Sequence, residues 1–170
     1  MQLRLKLAAI ASAMAIAASL AVAFAGPAAA ADNVKLCVPD SSNGYQICAE
    51  SIALAGSIID GVTYDNAGAY NVPSGKGQIS QGTSGLCMEL DGTTSGSPIK
   101  LESCAGKASE EWTTSAGQEK GTTVFRNADI TSLCLNMDPY ADKGVHPQVL
   151  ADTCSSNNSN LNQEWAQYTT

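Results

Sequence analysis

The 170-residue chain has a single histidine, His146, and none of its six cysteines are spaced C-x-x-C. A zinc or iron–sulfur site built on close cysteine pairs is therefore not expected, and no metal or cofactor is implied. His146 lies between Val145 and Pro147 in an expected turn, and no serine–histidine–aspartate order stands out around it. Basic clusters are missing too: nine Lys and Arg stand against 16 Asp and Glu, for a net charge of −7. Nucleic acid and anionic membrane surfaces are bound by neutralising phosphates, so neither is an expected partner. The glycine-rich stretches "DGTTSG" and "SGKG" lack the strand–loop–helix setting and the Lys-Ser/Thr of a phosphate loop. Two carboxylates can cleave a glycoside, and Asp60 with Asp65, or Asp138 with Asp142, are close in sequence. Acidic residues in β-turns are more often turn formers, and the chain is not expected to be an enzyme.

Only one long apolar run occurs, Leu7 to Phe24, and it is uncharged and rich in alanine. Arg4 and Lys6 precede it; Gly26-Pro27 and a row of alanines before Asp32 follow it. That order is expected of a secretory signal over 1–31 with A-x-A cleavage, with a membrane anchor as the rival reading. No cysteine lies at the cleavage point, so a lipid anchor is not expected. The remainder, 32–170, has single-domain size and keeps seven basic against 16 acidic side chains, a net charge near −9. The expected location is extracellular, with no membrane contact after cleavage.

All six cysteines lie in that remainder, and with an export signal disulfides are the default reading. Two blocks repeat. "LCMELDGTTSGSPIKLESC" runs from Leu86 to Cys104, and "LCLNMDPYADKGVHPQVLADTC" from Leu133 to Cys154. Each continues to one of the two tryptophans, through "AGKASEEW" to Trp112 and "SSNNSNLNQEW" to Trp165. Apolar residues alternate within the blocks, between Gly, Asp, Asn, Ser and Pro, as in short strands joined by tight turns. A third Leu-Cys stands at Leu36-Cys37. Three units nearly fill 32–170, which favours a closed threefold all-β body over an open solenoid. The repeat selects one of the 15 pairings of six cysteines: Cys37–Cys48, Cys87–Cys104 and Cys134–Cys154. Each staple closes a short loop and is expected to contribute roughly 3 kcal/mol. Trp112 and Trp165 are expected in the shared core, because Trp buries more area than any other residue.

The pattern L-C-x-x-x-D, then G-x-(P)-(I/V)-x-L-x-x-C, then (Q/E)-E-W resembles the ricin-type β-trefoil lectins. The resemblance is good over about 75–170 and weak over 32–74. It implies twelve short strands in three repeats (about 32–78, 79–121 and 122–170), forming a six-stranded barrel capped by three hairpins. It also implies shallow, non-catalytic sugar binding. A family site uses an Asp two residues after the first Cys, an aromatic two residues before the second, and polar groups three and two residues before the Trp. In the middle repeat those positions hold Glu89, Glu102, Ser109 and Glu110. In the last they hold Asn136, Asp152, Asn162 and Gln163, with Tyr140 in the turn as a substitute ring. Amides donate and accept whereas ionised carboxylates only accept. The last repeat is therefore the expected main site, and Glu89, Glu102 and Glu110 mark a possible second one. The structural alternative is that Asn162 and Gln163 only hold a turn.

The first repeat departs most. It has no Trp, Pro39 follows Cys37 by two, and its opening strand is expected to be short or absent. Ala49 to Ile59 reads either as strand or as a helical turn or two. Two functions follow: a secreted carbohydrate-binding protein for a polysaccharide or glycan, or a degenerate trefoil scaffold that binds another secreted protein and no sugar.

Overall fold

The computed structural model describes residues 31–39, 46–139, 147–157 and 160–170. Alternating apolar residues between turn formers produce strands throughout, and the described residues contain no α-helix. The strands are β1 (Ala31–Pro39), β2 (Gln46–Glu50), β3 (Ser57–Ile58), β4 (Asp60–Thr63), β5 (Tyr70–Val72), β6 (Lys76–Gln78), β7 (Ser80–Gln81), β8 (Leu86–Leu90), β9 (Ile99–Ser103), β10 (Glu111–Ala116), β11 (Thr122–Asn127), β12 (Leu133–Asp138), β13 (Gln148–Thr153) and β14 (Trp165–Thr169). The buried isoleucines Ile59 and Ile79 interrupt two longer strands, separating β3 from β4 and β6 from β7. Joining each pair recovers the expected twelve.

The pairings close a ring. β1 pairs with β5 and β14, β5 with β7, β6 with β10, β10 with β11, and β11 with β14. This is a six-stranded barrel with no free edge. Three hairpins, β2 with β4, β8 with β9, and β12 with β13, cover one end. They meet through Asp60 opposite Gln148, Ile58 opposite Lys100, and a bridge between Pro98 and Leu150. Ile59, Ile99 and Val149, fully buried, hold equivalent places at that junction. The architecture is a β-trefoil.

Trp112 and Trp165 are fully buried, and each indole N–H donates to an equivalent carbonyl, Met88 at 3.1 Å and Leu135 at 3.0 Å. Tyr70, on β5, fills the corresponding place in the first repeat and is also fully buried. It has no indole N–H. The matching carbonyl, Ala49, instead accepts from the Gly68 backbone at 3.1 Å, and the Tyr70 hydroxyl has no hydrogen-bond partner. Burial and the nearby Glu50 hold that phenol far above its ordinary pKa.

The three disulfides are Cys37–Cys48, Cys87–Cys104 and Cys134–Cys154, and no cysteine is free. The first is built differently from the others. Cys37 faces Cys48 directly across β1 and β2, where the later repeats pair Ser80 with Cys87 and Arg126 with Cys134. Cys48 is thus the counterpart of Cys87 and Cys134, and Ile47-Cys48, not Leu36-Cys37, matches the later Leu-Cys pairs. One other expectation for this repeat is corrected, and one open alternative is decided. Its opening strand is not short or absent: β1 is nine residues long, because Val34, Leu36 and Val38 are all buried in the barrel wall. Ala49 to Ile59 forms no helix; Ala49 and Glu50 end β2, and Ser57 and Ile58 form β3.

Candidate functional site

With the register set by Cys48, Cys87 and Cys134, each repeat presents one cradle. Its floor is the outward face of a hairpin, and its rim is the short 3-10 turn before the next barrel strand. Side chains two apart on one strand share a face, and diagonal neighbours across the hairpin lie within reach of one another. The two middle-repeat carboxylates, Glu89 and Glu102, are such a diagonal pair. So are Asn136 and Asp152 in the last repeat, and Glu50 and Val62 in the first.

The middle cradle is a cavity of about 300 Å³ lined by Glu89, Asp91, Lys100, Glu102 and Lys107. Glu89 is held on both oxygens: Lys107 Nζ donates to one at 2.8 Å, and Ser109 Oγ to the other at 3.0 Å. Lys100, directly opposite Glu89, pairs with Asp91. These bonds raise the pKa of both lysines above the ordinary value. The lining is therefore not one of acceptors alone, as Glu89, Glu102 and Glu110 had implied. The alternation in "IKLES" already placed Lys100 on the face of Glu102, a signal that reading missed.

Glu110 is fully buried. One oxygen accepts from the backbone N–H of Ala105 at 2.8 Å, Gly106 at 2.8 Å and Lys107 at 3.4 Å, and from Gln78 Nε2 at 2.5 Å. Burial works against its charge, but those donors together hold its pKa below the usual carboxylate range.

Gln163 does the same work in the last repeat. It is almost fully buried, with Oε1 accepting from Ser155 N at 3.0 Å and Nε2 donating to the Thr153 carbonyl at 2.9 Å. Gln163 thus latches the loop after Cys154. Asn162 is half-buried on the 3-10 turn Leu161–Gln163. Asn160 caps that turn, accepting from Asn162 N at 3.1 Å, and its own amide reaches Asn136 Oδ1 at 3.4 Å. Asp152 accepts from Thr153 N at 2.6 Å and from the Ser95 hydroxyl of the neighbouring repeat. The fold thus brings Asn136, which is only 6% exposed, and Asn160 together with the Asn162 backbone, and sets Asp152 diagonal to Asn136. Asn160 was not expected from sequence, since it precedes the family's polar pair. Tyr140, like His146, lies outside the described residues.

The first cradle is a groove of about 590 Å³ lined by residues that include Glu50, Ile52, Ile58, Asp60, Val62 and Gln148. Among the described residues no group of three or more His, Cys, Asp or Glu is arranged to hold a metal ion.

A profile of the ricin-type beta-trefoil lectin domain matches residues 67–169. The chain belongs to that family. Its domains are carbohydrate-binding and generally non-catalytic, which gives this trefoil a lectin-like role. Solved structures share the fold at low identity. The designed threefold-symmetric protein ThreeFoil superposes with a TM-score of 0.62 at 17% identity, covering 82% of this chain and 100% of that one. The Polyporus squamosus lectin, solved with the epitope Neu5Acα2-6Galβ1-4GlcNAc, gives 0.55 at 12% identity, covering 85% of this chain and 49% of the lectin. An exo-β-1,3-galactanase from Clostridium thermocellum gives 0.59 at 13% identity, covering 82% of this chain and 31% of the enzyme. A comparison with curated protein sequences finds no match.

Proposed function

We propose that this trefoil is an exported, non-catalytic carbohydrate-binding protein whose main contact is the cradle of the last repeat. The observation that carries this reading is the mixed polar cluster in which Asn160 joins Asn136 to the Asn162 backbone, beside Asp152. A neutral sugar presents hydroxyls that both donate and accept. Amides answer both needs, and a carboxylate takes vicinal hydroxyl donors. In the middle cradle Glu89 is already held by Ser109 and by the charged Lys107, so a sugar there must displace an ion-pair partner. It ranks as a second, weaker site. The leader over 1–31 and the disulfides support export, since such bonds persist in oxidising compartments. Affinity should be millimolar to micromolar, or about 4–8 kcal/mol, because the contact is shallow.

A glycan array on the mature protein identifies the sugar, and an NMR titration with it locates the contact. Shifts are expected first around Asn136, Asp152 and Asn162, with binding lost in Asn162→Ala and nearly unchanged in Glu89→Ala. Shifts confined to Glu89, Lys100 and Lys107 would transfer the site to the middle repeat. No response to any glycan would remove the sugar reading altogether.

A further inference from the structure

The first cradle occupies the same place as the other two, but its chemistry is different. Ile52 is 69% exposed and Ile58 41%, and both line the groove; Leu54, on the same loop, is 61% exposed. A concentration of bare aliphatic side chains beside a concave surface is unusual in a small soluble domain and points to a contact. Across the floor, Glu50 stands directly opposite Asp60 on paired strands. Like charges in that arrangement destabilise the sheet. At the matching position the middle repeat opposes Glu89 with Lys100, and the last opposes Asn136 with Leu150. Among the described residues, no Lys or Arg lines the first groove. The cation that bears on Glu50, Lys35, is held elsewhere, with Nζ 2.7 Å from the Tyr64 carbonyl and 4.2 Å from the centre of the Tyr64 ring. Burial raises the Glu50 pKa in spite of Lys35, as expected of a carboxylate short of partners.

We propose that this groove docks a short extended segment of a partner protein in which a lysine or arginine is flanked by aliphatic residues. The cation would sit between Glu50 and Asp60, relieving their repulsion. The aliphatic side chains would cover Ile52, Leu54 and Ile58. Charge complementarity identifies the occupant: the chain is acidic overall, and the groove adds two opposed carboxylates to an apolar wall. A sugar suits this lining poorly, because Gln148 is the only amide side chain among the described residues that line it. The inference does not rest on sugar binding at the last repeat.

The test uses the mature protein and two synthetic ten-residue peptides, one alternating valine and lysine, the other valine and glutamate. In an NMR titration at neutral pH, the lysine peptide should shift residues 50–62 and Gln148, and the glutamate peptide should not. The double variant Ile52→Asp with Leu54→Asp should weaken binding at least tenfold, and Glu50→Gln several-fold. All three positions leave the barrel core intact, and unchanged spectra elsewhere confirm the fold. Equal binding of both peptides would overturn the proposal, as would shifts scattered over the acidic surface or no binding. Concentration-dependent dimerisation abolished by the same double variant would also overturn it, assigning the groove to a second copy of the chain.

Discussion

Glu110 and Gln163 hold equivalent places in two repeats, and that internal comparison sets up a test at Glu110. Alanine there removes the acceptor for the backbone N–H groups of Ala105, Gly106 and Lys107 and for Gln78. Hydrogen bonds to a charged group contribute about 1.5–3 kcal/mol each. Ala105, Gly106 and Lys107 are exposed, so water takes over part of the loss. Glu110→Ala should therefore cost about 2–4 kcal/mol in total, well below the sum of its bonds. Glu110→Gln should behave quite differently. One carboxylate oxygen of Glu110 is buried without a hydrogen bond, 3.7 Å from Lys107 Nζ. In Gln163 the second polar atom is an amide that donates to the Thr153 carbonyl, whose counterpart is Ser103. Glutamine at 110 keeps an acceptor for the loop and adds that donor, so at pH 7 its effect should stay within about 1 kcal/mol of neutral. The pH dependence separates the two states of the carboxylate. The folded-state pKa is lowered, so its stabilisation is complete above the unfolded value, about 4.3, and is lost as pH falls through the folded one. The wild type should therefore weaken on acidification below about pH 4 more steeply than Glu110→Gln. Urea unfolding of the three proteins from pH 7 to pH 3 measures this. If Glu110→Gln costs as much as alanine at pH 7, the charge itself is required and the equivalence with Gln163 fails.

Tyr70→Phe removes a buried hydroxyl that has no hydrogen bond, so it should leave stability unchanged or raise it by up to about 1 kcal/mol; a loss above that in urea unfolding would mean the hydroxyl is satisfied. Gly61→Ala should destabilise by about 1–3 kcal/mol, because its Cβ would lie 2.5 Å from Pro147 Cβ, 2.7 Å from Ile47 Cγ2 and 2.7 Å from Met137 Sδ. An unchanged thermal midpoint would show that this corner of the cap is looser than described. Trp165→Ala should cost roughly 3–5 kcal/mol, since the indole is fully buried and anchored to Leu135; efficient acrylamide quenching of Trp165 in the native protein would contradict that burial.

Much of this protein was legible in its residues. Two copies of a Leu-Cys block ending in a cysteine and a tryptophan, with a third Leu-Cys at Leu36-Cys37, were enough to anticipate a closed threefold all-β body, its three disulfides and two core indoles, and their resemblance to the ricin-type lectins implied the trefoil. Such features are local: period-two alternation shows which side of a strand is apolar, and a cysteine pair that spans one hairpin has few rivals nearby. Pairing between strands is not local, and the first repeat shows the consequence. Leu36-Cys37 imitates the later Leu-Cys pairs in sequence, yet it lies one strand earlier, and only the cross-strand register identifies Cys48 as the matching residue. That register alone places Glu50 opposite Asp60 and opens the first groove. Side-chain direction was equally hidden. Gln163 and Glu110 occupy polar positions of the family's sugar site, but folding buries both side chains and turns them to the backbone N–H groups of the loop after the second cysteine. The repeated blocks around Trp112 and Trp165 pointed to a threefold all-β body and carried the resemblance that implied the trefoil; what each of its three cradles can hold was decided by which side chains the closed barrel brought face to face.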